Sequence, residues 1–251
     1  MHQHLNPSPQ HSLAFSLLMH VVPGAAILLF YVLAVPVASQ QGFHAEFALN
    51  LSFLVVGIPL PLAFLYSLGR NAQDASWSLS TVVLYREKIP PRQYTLIVAF
   101  LLGFGVYLAA VTSLTAGIPP FLTEVVLPDL PRWFLNPYSL RAVNPTSTAI
   151  LATLVMRLAI DGIAHPIVEE LYFRGYLMPR LSRYGAWCPV ISALFFAMFH
   201  LWQPQNIPVI FVTVLPWMFL IWWKRNVYLS ILIHCLGNSI TAAIALVEFV
   251  N

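Results

Sequence analysis

One long uncharged run constrains the fold of this chain more than any other feature. From Leu13 to Ala38, about 26 successive residues include no Lys, Arg, Asp or Glu, and a helix of that length crosses the roughly 30 Å hydrocarbon core of a bilayer. The run is too long for the roughly 7–15-residue apolar segment of a signal peptide, and no Lys or Arg precedes it. We therefore predict that it forms the first membrane-spanning helix.

Further apolar blocks follow along the rest of the chain. Hydrophobic residues make up 59% of the sequence and charged residues 8%, whereas soluble domains carry about 25% charged residues. The sequence therefore predicts an all-α, polytopic transmembrane helical bundle with about seven (six to eight) spanning helices, in a single membrane domain over residues 1–251. The further blocks cover residues 47–68, 94–118, 146–183, 186–202, 207–223 and 227–250.

Two stretches depart from this regular pattern. Residues 146–183 are too many for one crossing, so that block is either kinked near Asp161, Gly162 and Pro166 or made of two elements. Residues 119–145 hold six prolines, which favours an interfacial loop over a helix.

The distribution of Lys and Arg predicts the orientation. With a cytoplasmic N-terminus, nine of them lie in cytoplasmic connections and two lie opposite, which is the bias that membrane proteins show. We predict a multi-pass protein of the cell (inner) membrane with a cytoplasmic N-terminus, an orientation that one span more or fewer before Arg70 would reverse. The nine are Arg70, Arg86, Lys88, Arg92, Arg174, Arg180, Arg183, Lys224 and Arg225, and the two are Arg132 and Arg141.

Ionisable residues within the spans concentrate after residue 150, and such residues are costly in a bilayer and mark functional sites. Two i,i+4 pairs, Glu170 with Arg174 and Arg157 with Asp161, have the spacing of ion pairs on one helix face. We predict that the two charges within each pair neutralise each other inside the bundle. Glu169 has no partner of this kind.

The spacing of Glu169 and His200 is the strongest geometric signal. The polar turn Tyr184-Gly185 lies midway between them, and residues equidistant from the turn of an antiparallel hairpin meet at the same depth. His234 and Asn238 share one face of the last predicted span. These four residues are the candidate catalytic residues.

Such a set is suited to hydrolysis of an acyl bond. A buried carboxylate beside an imidazole can deprotonate water, and a second imidazole with an amide can donate hydrogen bonds to an oxyanion. The sequence contains no GxSxG nucleophile motif. No basic run interleaved with aromatic residues indicates a nucleic-acid partner.

Three motifs resemble those of the CAAX prenyl endopeptidase and bacteriocin-processing (CPBP, or Abi) intramembrane proteases. Glu169, Glu170 and Arg174 match the EExxxR motif of that family. FxxxH is matched at Phe196–His200, and HxxxN at His234–Asn238. Three motifs in family order are far more specific than one, and the resemblance covers residues 150–250, the expected catalytic core.

The resemblance implies a role for each motif residue. Glu169 and His200 would activate the catalytic water, His234 and Asn238 would stabilise the oxyanion, and Glu170 with Arg174 would support the structure. We expect a metal-free mechanism without a cofactor. The alternative is a zinc enzyme with Glu169, His200 and His234 as ligands, to which His165 adds a possible ligand outside the motifs.

The expected partners are the lipid bilayer and a peptide or lipidated protein substrate, with no nucleic acid. The resemblance implies that this chain cleaves a peptide bond near the C-terminus of a membrane-associated, in some relatives prenylated, protein or peptide. Two other functions compete with this one. A transporter would need paired broken helices in matching halves, and a non-catalytic scaffold or bacteriocin-immunity protein could use the same fold.

Overall fold

The computed structural model describes residues 9–71, 77–138 and 147–250. Six helical segments within them are long and apolar enough to cross a membrane. This confirms the predicted all-α polytopic bundle and describes a multi-pass membrane protein. The segments are Leu13–Gln40, Ala45–Arg70, Pro91–Val126, Thr148–Phe199, Pro204–Lys224 and Val227–Phe249.

The first two segments match the predicted blocks closely. Helix α1 covers Leu13–Gln40, and its first turn is capped by the side chain of Ser12. The second segment is composite: helix α2 (Ala45–Ser52), a π-helical turn (Phe53–Gly57) and helix α3 (Pro59–Arg70). A π-helical turn inserts one residue per turn and rotates the side chains that follow it.

The third segment extends beyond its predicted end at residue 118. Helix α4 covers Tyr94–Thr115, a short helix α5 covers Ile118–Phe121, and a π-helical turn continues to Val126. The prediction of a wholly irregular loop over 119–145 is therefore wrong in part, because prolines in a first helical turn need no N–H donor. A further short helix, α6, covers Arg132–Leu135, whereas residues 139–146, with Arg141, lie outside the described residues.

The long fourth segment consists of two arms. The first arm contains α7 (Ser147–Met156), a π-helical stretch (Arg157–Ala164), α8 (His165–Glu169) and a second π-helical stretch (Glu170–Leu177). A 3₁₀ stretch (Met178–Trp187) follows, in which Gly185 adopts φ 55°. That left-handed conformation favours glycine, and it places the turn where the sequence predicted it.

Helix α9 covers Cys188–Phe199, the second arm. Its 12 residues rise about 18 Å, so the predicted span over 186–202 is too long. The helix ends because His200 has non-helical dihedrals, φ −78° and ψ 51°, a few residues before Pro204, which restricts the residue that precedes it. His200 thus lies at a helix end, where its ring can point into a cavity.

The last two helices are α10 (Ile207–Lys224) and α11 (Val227–Val250). Pro216 interrupts α10 and has no N–H to donate to the carbonyl of Val212 one turn earlier. The hydroxyl of Tyr107 on α4 donates to that carbonyl instead, at 2.6 Å. This hydrogen bond fastens α4 to the rest of the bundle.

A close approach of α1 to α9 fixes the position of the helix that leads to His200. A Cβ added at Gly24 would overlap the carbonyl oxygen of Phe199. The two backbones therefore touch where any larger residue would separate them.

The connection between α3 and α4 packs against the first arm of the fourth segment. Leu84 N–H donates to the carbonyl of Gly175 at 2.9 Å, and Val227 N–H donates to the carbonyl of Tyr85 at 2.7 Å. Val83 packs so closely on Gly175 that an added Cβ there would lie 2.8 Å from its side chain. This loop ties the first arm to the turn between α10 and α11.

Candidate active site

A cavity of about 470 Å³ lies between α4, α8, α10 and α11. All four candidate catalytic residues line it, together with His165, Arg157 and Asp161. Its lining also includes the apolar residues Phe104, Leu108, Val209, Ile210 and Val214. The cavity therefore combines ionisable and amide groups with a substantial apolar surface.

Glu169, the last residue of α8, presents its carboxylate between two imidazoles. Its Oε1 lies 3.5 Å from Nδ1 of His165, and its Oε2 lies 3.6 Å from Nε2 of His234. The side chain is 6% exposed, and that exposure is toward the cavity it lines. No described residue donates a hydrogen bond to this carboxylate, so both oxygens are available to a water or a substrate group.

Glu170 points away from the cavity and is fully buried. One oxygen lies 2.8 Å from Nδ1 of His234 and 3.0 Å from Nη1 of Arg174. The other accepts a hydrogen bond from Ser230 Oγ at 2.5 Å. The predicted ion pair with Arg174 is present, and the same carboxylate also orients the His234 ring.

Arg174 lies in an aromatic cage. Its guanidinium carbon is 3.8 Å from the centre of the Phe196 ring and 4.7 Å from that of Trp217. Phe196 belongs to the second arm, so this contact packs α9 against the first arm near Glu170. Such cation–π contacts favour a buried guanidinium, because they replace part of its lost hydration.

His200 is oriented by its own helix. Its Nδ1 lies 2.8 Å from the carbonyl oxygen of Phe196, and a carbonyl only accepts hydrogen bonds, so the proton is on Nδ1. The neutral ring then carries a lone pair on Nε2. His200 shares the cavity with Glu169, although its ring nitrogens do not come within ion-pair distance of that carboxylate.

Asn238 on α11 is held by the π-helical stretch of the first arm. Its Nδ2 donates to the backbone carbonyl of Asp161 at 3.0 Å, and Ser239 Oγ donates to that of Gly162 at 3.1 Å. The amide of Asn238 has a second N–H, and its side chain lines the cavity. That second N–H is suited to donate to a substrate oxygen.

Arg157 does not form the predicted close ion pair with Asp161, although its charge still acts on the Asp161 carboxylate. Arg157 lies 3.4 Å from Glu46 of α2 instead, because the π-helical stretch changes the angle between residues four apart. Sequence reasoning missed Glu46, which lies at the start of a span and is fully buried.

Tyr138 is a second residue that sequence reasoning missed. The Arg157 guanidinium lies 4.9 Å from the centre of its ring. Burial holds the pKa of the Tyr138 hydroxyl well above its usual range, so the group is a hydrogen-bond donor in the cavity that it lines. The proline-rich connection that contains it gave no signal of such a role.

Three of the cavity residues are also possible ligands of a metal ion. Glu169, His200 and His234 are ligand types that zinc accepts. Within the described residues, however, no three His, Cys, Asp or Glu side chains converge closely enough to hold a metal. The three residues considered from the sequence as zinc ligands do not form such a group among the residues that the structure describes.

Residues 150–240 match the family described as type II CAAX prenyl endopeptidase Rce1-like. The match confirms the resemblance drawn from the three motifs and supports an intramembrane protease of the CAAX type. Comparison with curated proteins and with solved structures gave no significant match.

Proposed function

We propose that this chain is an intramembrane endopeptidase that hydrolyses a peptide bond near the C-terminus of a membrane-associated protein or peptide. The observation that carries the proposal is the position of Glu169. Its carboxylate opens on a cavity inside the helical bundle, between His165 and His234. The endopeptidase-family match covers this residue.

Glu169 and His200 activate the water. The Glu169 carboxylate takes a proton from water while the water oxygen bonds to the peptide carbonyl carbon. The Nε2 lone pair of His200 accepts a hydrogen bond from the same water and orients it. The carbonyl π electrons move to oxygen, and a tetrahedral oxyanion forms.

Asn238 and His234 stabilise that oxyanion. Asn238 donates its second N–H, and His234 donates from Nε2 when it carries protons on both ring nitrogens. Glu170 behind the ring supplies the negative charge that balances such an imidazolium, because Glu169 holds the proton from water at this stage. The oxyanion then collapses, the C–N bond breaks, and the leaving nitrogen takes the proton that Glu169 held.

The cavity walls favour a substrate with an apolar part. Phe104 and Leu108 of α4 line the same cavity as the polar residues, so a peptide that carries an apolar side chain or a lipid group has a surface to bind. A prenylated peptide is therefore the first substrate to test.

We also propose that the protein lies in the cell membrane with its N-terminus in the cytoplasm.

The experiment compares peptide cleavage by purified wild type and by Glu169→Gln, with a farnesylated, fluorescently quenched CaaX peptide as the probe. Loss of a general base costs roughly 10²–10⁴ in rate. Glu87→Gln is the matched control, because Glu87 is an exposed carboxylate outside the cavity. Wild-type turnover in Glu169→Gln would remove Glu169 from the chemistry.

A second experiment concerns metal. We expect turnover to survive exhaustive chelation. In the same assay, Asn238→Ala should lower kcat by roughly 10²–10³, because it removes a donor to the oxyanion. Turnover that chelation abolishes and zinc alone restores would make Glu169, His200 and His234 ligands instead.

A further inference from the structure

His165 lies one turn before Glu169 on α8 and outside the three motifs. Its side chain is 3% exposed, and its Nδ1 is the ring nitrogen that faces Oε1 of Glu169, at 3.5 Å. It lines the same cavity. The water-activating step described above does not use it.

The N-terminal half of the chain determines how this ring is oriented. Phe53, in the π-helical turn between α2 and α3, stacks on the His165 ring with centroids 4.3 Å apart and planes inclined by 8°. Gly57 lies at the other edge, where an added Cβ would be 2.7 Å from Nε2. The ring therefore fits between an aromatic face and a position that accepts only glycine without a shift.

The position of the ring proton follows from its surroundings. A carboxylate only accepts hydrogen bonds, so Nδ1 must carry the proton for the ring to bond to Glu169. Nε2 of His165 is buried and has no hydrogen-bond partner among the described residues. The only polar contact of the ring in the described structure is thus the one to Glu169.

We infer that His165 is a positioning residue for Glu169. When substrate fills the cavity, it donates from Nδ1 to Oε1, which fixes the carboxylate so that Oε2 faces the water and His234. The 3.5 Å separation shortens when substrate fills the cavity, as hydrogen bonds in apo active sites commonly do. This inference rests on the proposed function, and it assigns a catalytic requirement to Phe53 and Gly57, which lie outside the matched residues 150–240.

The test separates the donor from the packing of the ring. His165→Phe keeps the stack on Phe53 but removes the donor, and His165→Asn places an amide N–H near the position of Nδ1. Misplacement of a catalytic group costs on the order of 10²-fold in rate. We expect His165→Phe to lower kcat by about that factor with KM unchanged, and His165→Asn to recover part of the loss.

A substitution at Gly57 tests the same inference from the other side. Gly57→Ala should displace the ring and lower kcat, and it should cost less in the His165→Asn background, where the shorter side chain leaves room. Gly103→Ala is the matched control, because an added Cβ there meets nothing within 4 Å. Equal kcat in wild type and His165→Phe, or equal losses in both His165 variants, would overturn the inference.

The proposed function and this inference fail in different ways. If wild type cleaves no probe, the proposed function fails. The contact is then read from difference infrared spectra of wild type and His165→Phe with the uncleaved peptide bound in the cavity, and Glu169→Gln assigns the Glu169 carboxylate bands. Those bands shift when a hydrogen bond to the carboxylate is lost, and unshifted bands would refute the positioning role.

Discussion

Replacement of Glu170 by alanine tests whether this carboxylate serves the fold or the chemistry. Glu170 and Arg174 are both buried, with side chains 0% and 1% exposed and N and O atoms 3.0 Å apart. Glu170→Ala leaves the Arg174 charge uncompensated and removes the acceptor of Ser230 and His234. Loss of one partner of a buried ion pair costs about 3–5 kcal/mol of unfolding free energy.

The chain contains its own control for this prediction. Glu87 also pairs with an arginine, Arg225, at 3.4 Å, but both side chains are about 60% exposed, and exposed pairs contribute about 0–1 kcal/mol. Glu87→Ala should therefore be nearly neutral. The free energy of unfolding of both variants is measured by SDS titration in mixed micelles, with tryptophan fluorescence as the signal.

A third variant separates the charge of Arg174 from the other losses. Arg174→Met in the Glu170→Ala background removes the uncompensated charge and should recover part of the stability, although it also removes the contacts to Phe196 and Trp217. If Glu170→Ala unfolds like Glu87→Ala and has lost all turnover, the structural role is refuted and Glu170 belongs to the catalytic machinery.

Two further predictions concern helix packing. Gly24→Ala should displace the Phe199 carbonyl and lower both folded yield and kcat, whereas Gly103→Ala, with open space around it, should change neither. Size-exclusion chromatography measures the folded yield, and peptide cleavage measures kcat. Equal behaviour of the two variants would contradict the close approach of α1 to α9. Tyr107→Phe should cost about 0.5–1.5 kcal/mol in the same unfolding assay, because it leaves the carbonyl that Pro216 has freed without a donor, and the cost should vanish in Pro216→Ala, where the helix supplies its own N–H.

The sequence was sufficient to predict the helices because hydrophobicity alone determines which segments cross a bilayer. The predicted blocks 207–223 and 227–250 differ from α10 and α11 by no more than one residue at each end. The turn at Gly185 was predictable because the polar pair Tyr184-Gly185 separates two apolar stretches of the sequence. The grouping of Glu169 with His234 in one cavity followed from motif spacing and the resemblance.

Contacts that depend on helix rotation were not predictable in the same way. The pairing of Arg157 with Asp161 failed because the regular i,i+4 rule does not hold through a π-helical stretch. Its true partner, Glu46, lies more than a hundred residues earlier in the chain. Nothing local in the sequence indicates that α2 approaches the first arm at that position.

The same reasoning explains why the catalytic half cannot be treated as an independent unit. The helix that leads to His200 touches α1 at Gly24, and the ring beside Glu169 touches Phe53 and Gly57. Lipid would replace these contacts with mobile chains of similar polarity, so association here depends on close packing more than on a hydrophobic driving force. Glycine at both contacts is what that packing requires. The motif residues supply the reactive groups, and the N-terminal helices supply the surfaces that determine where those groups point.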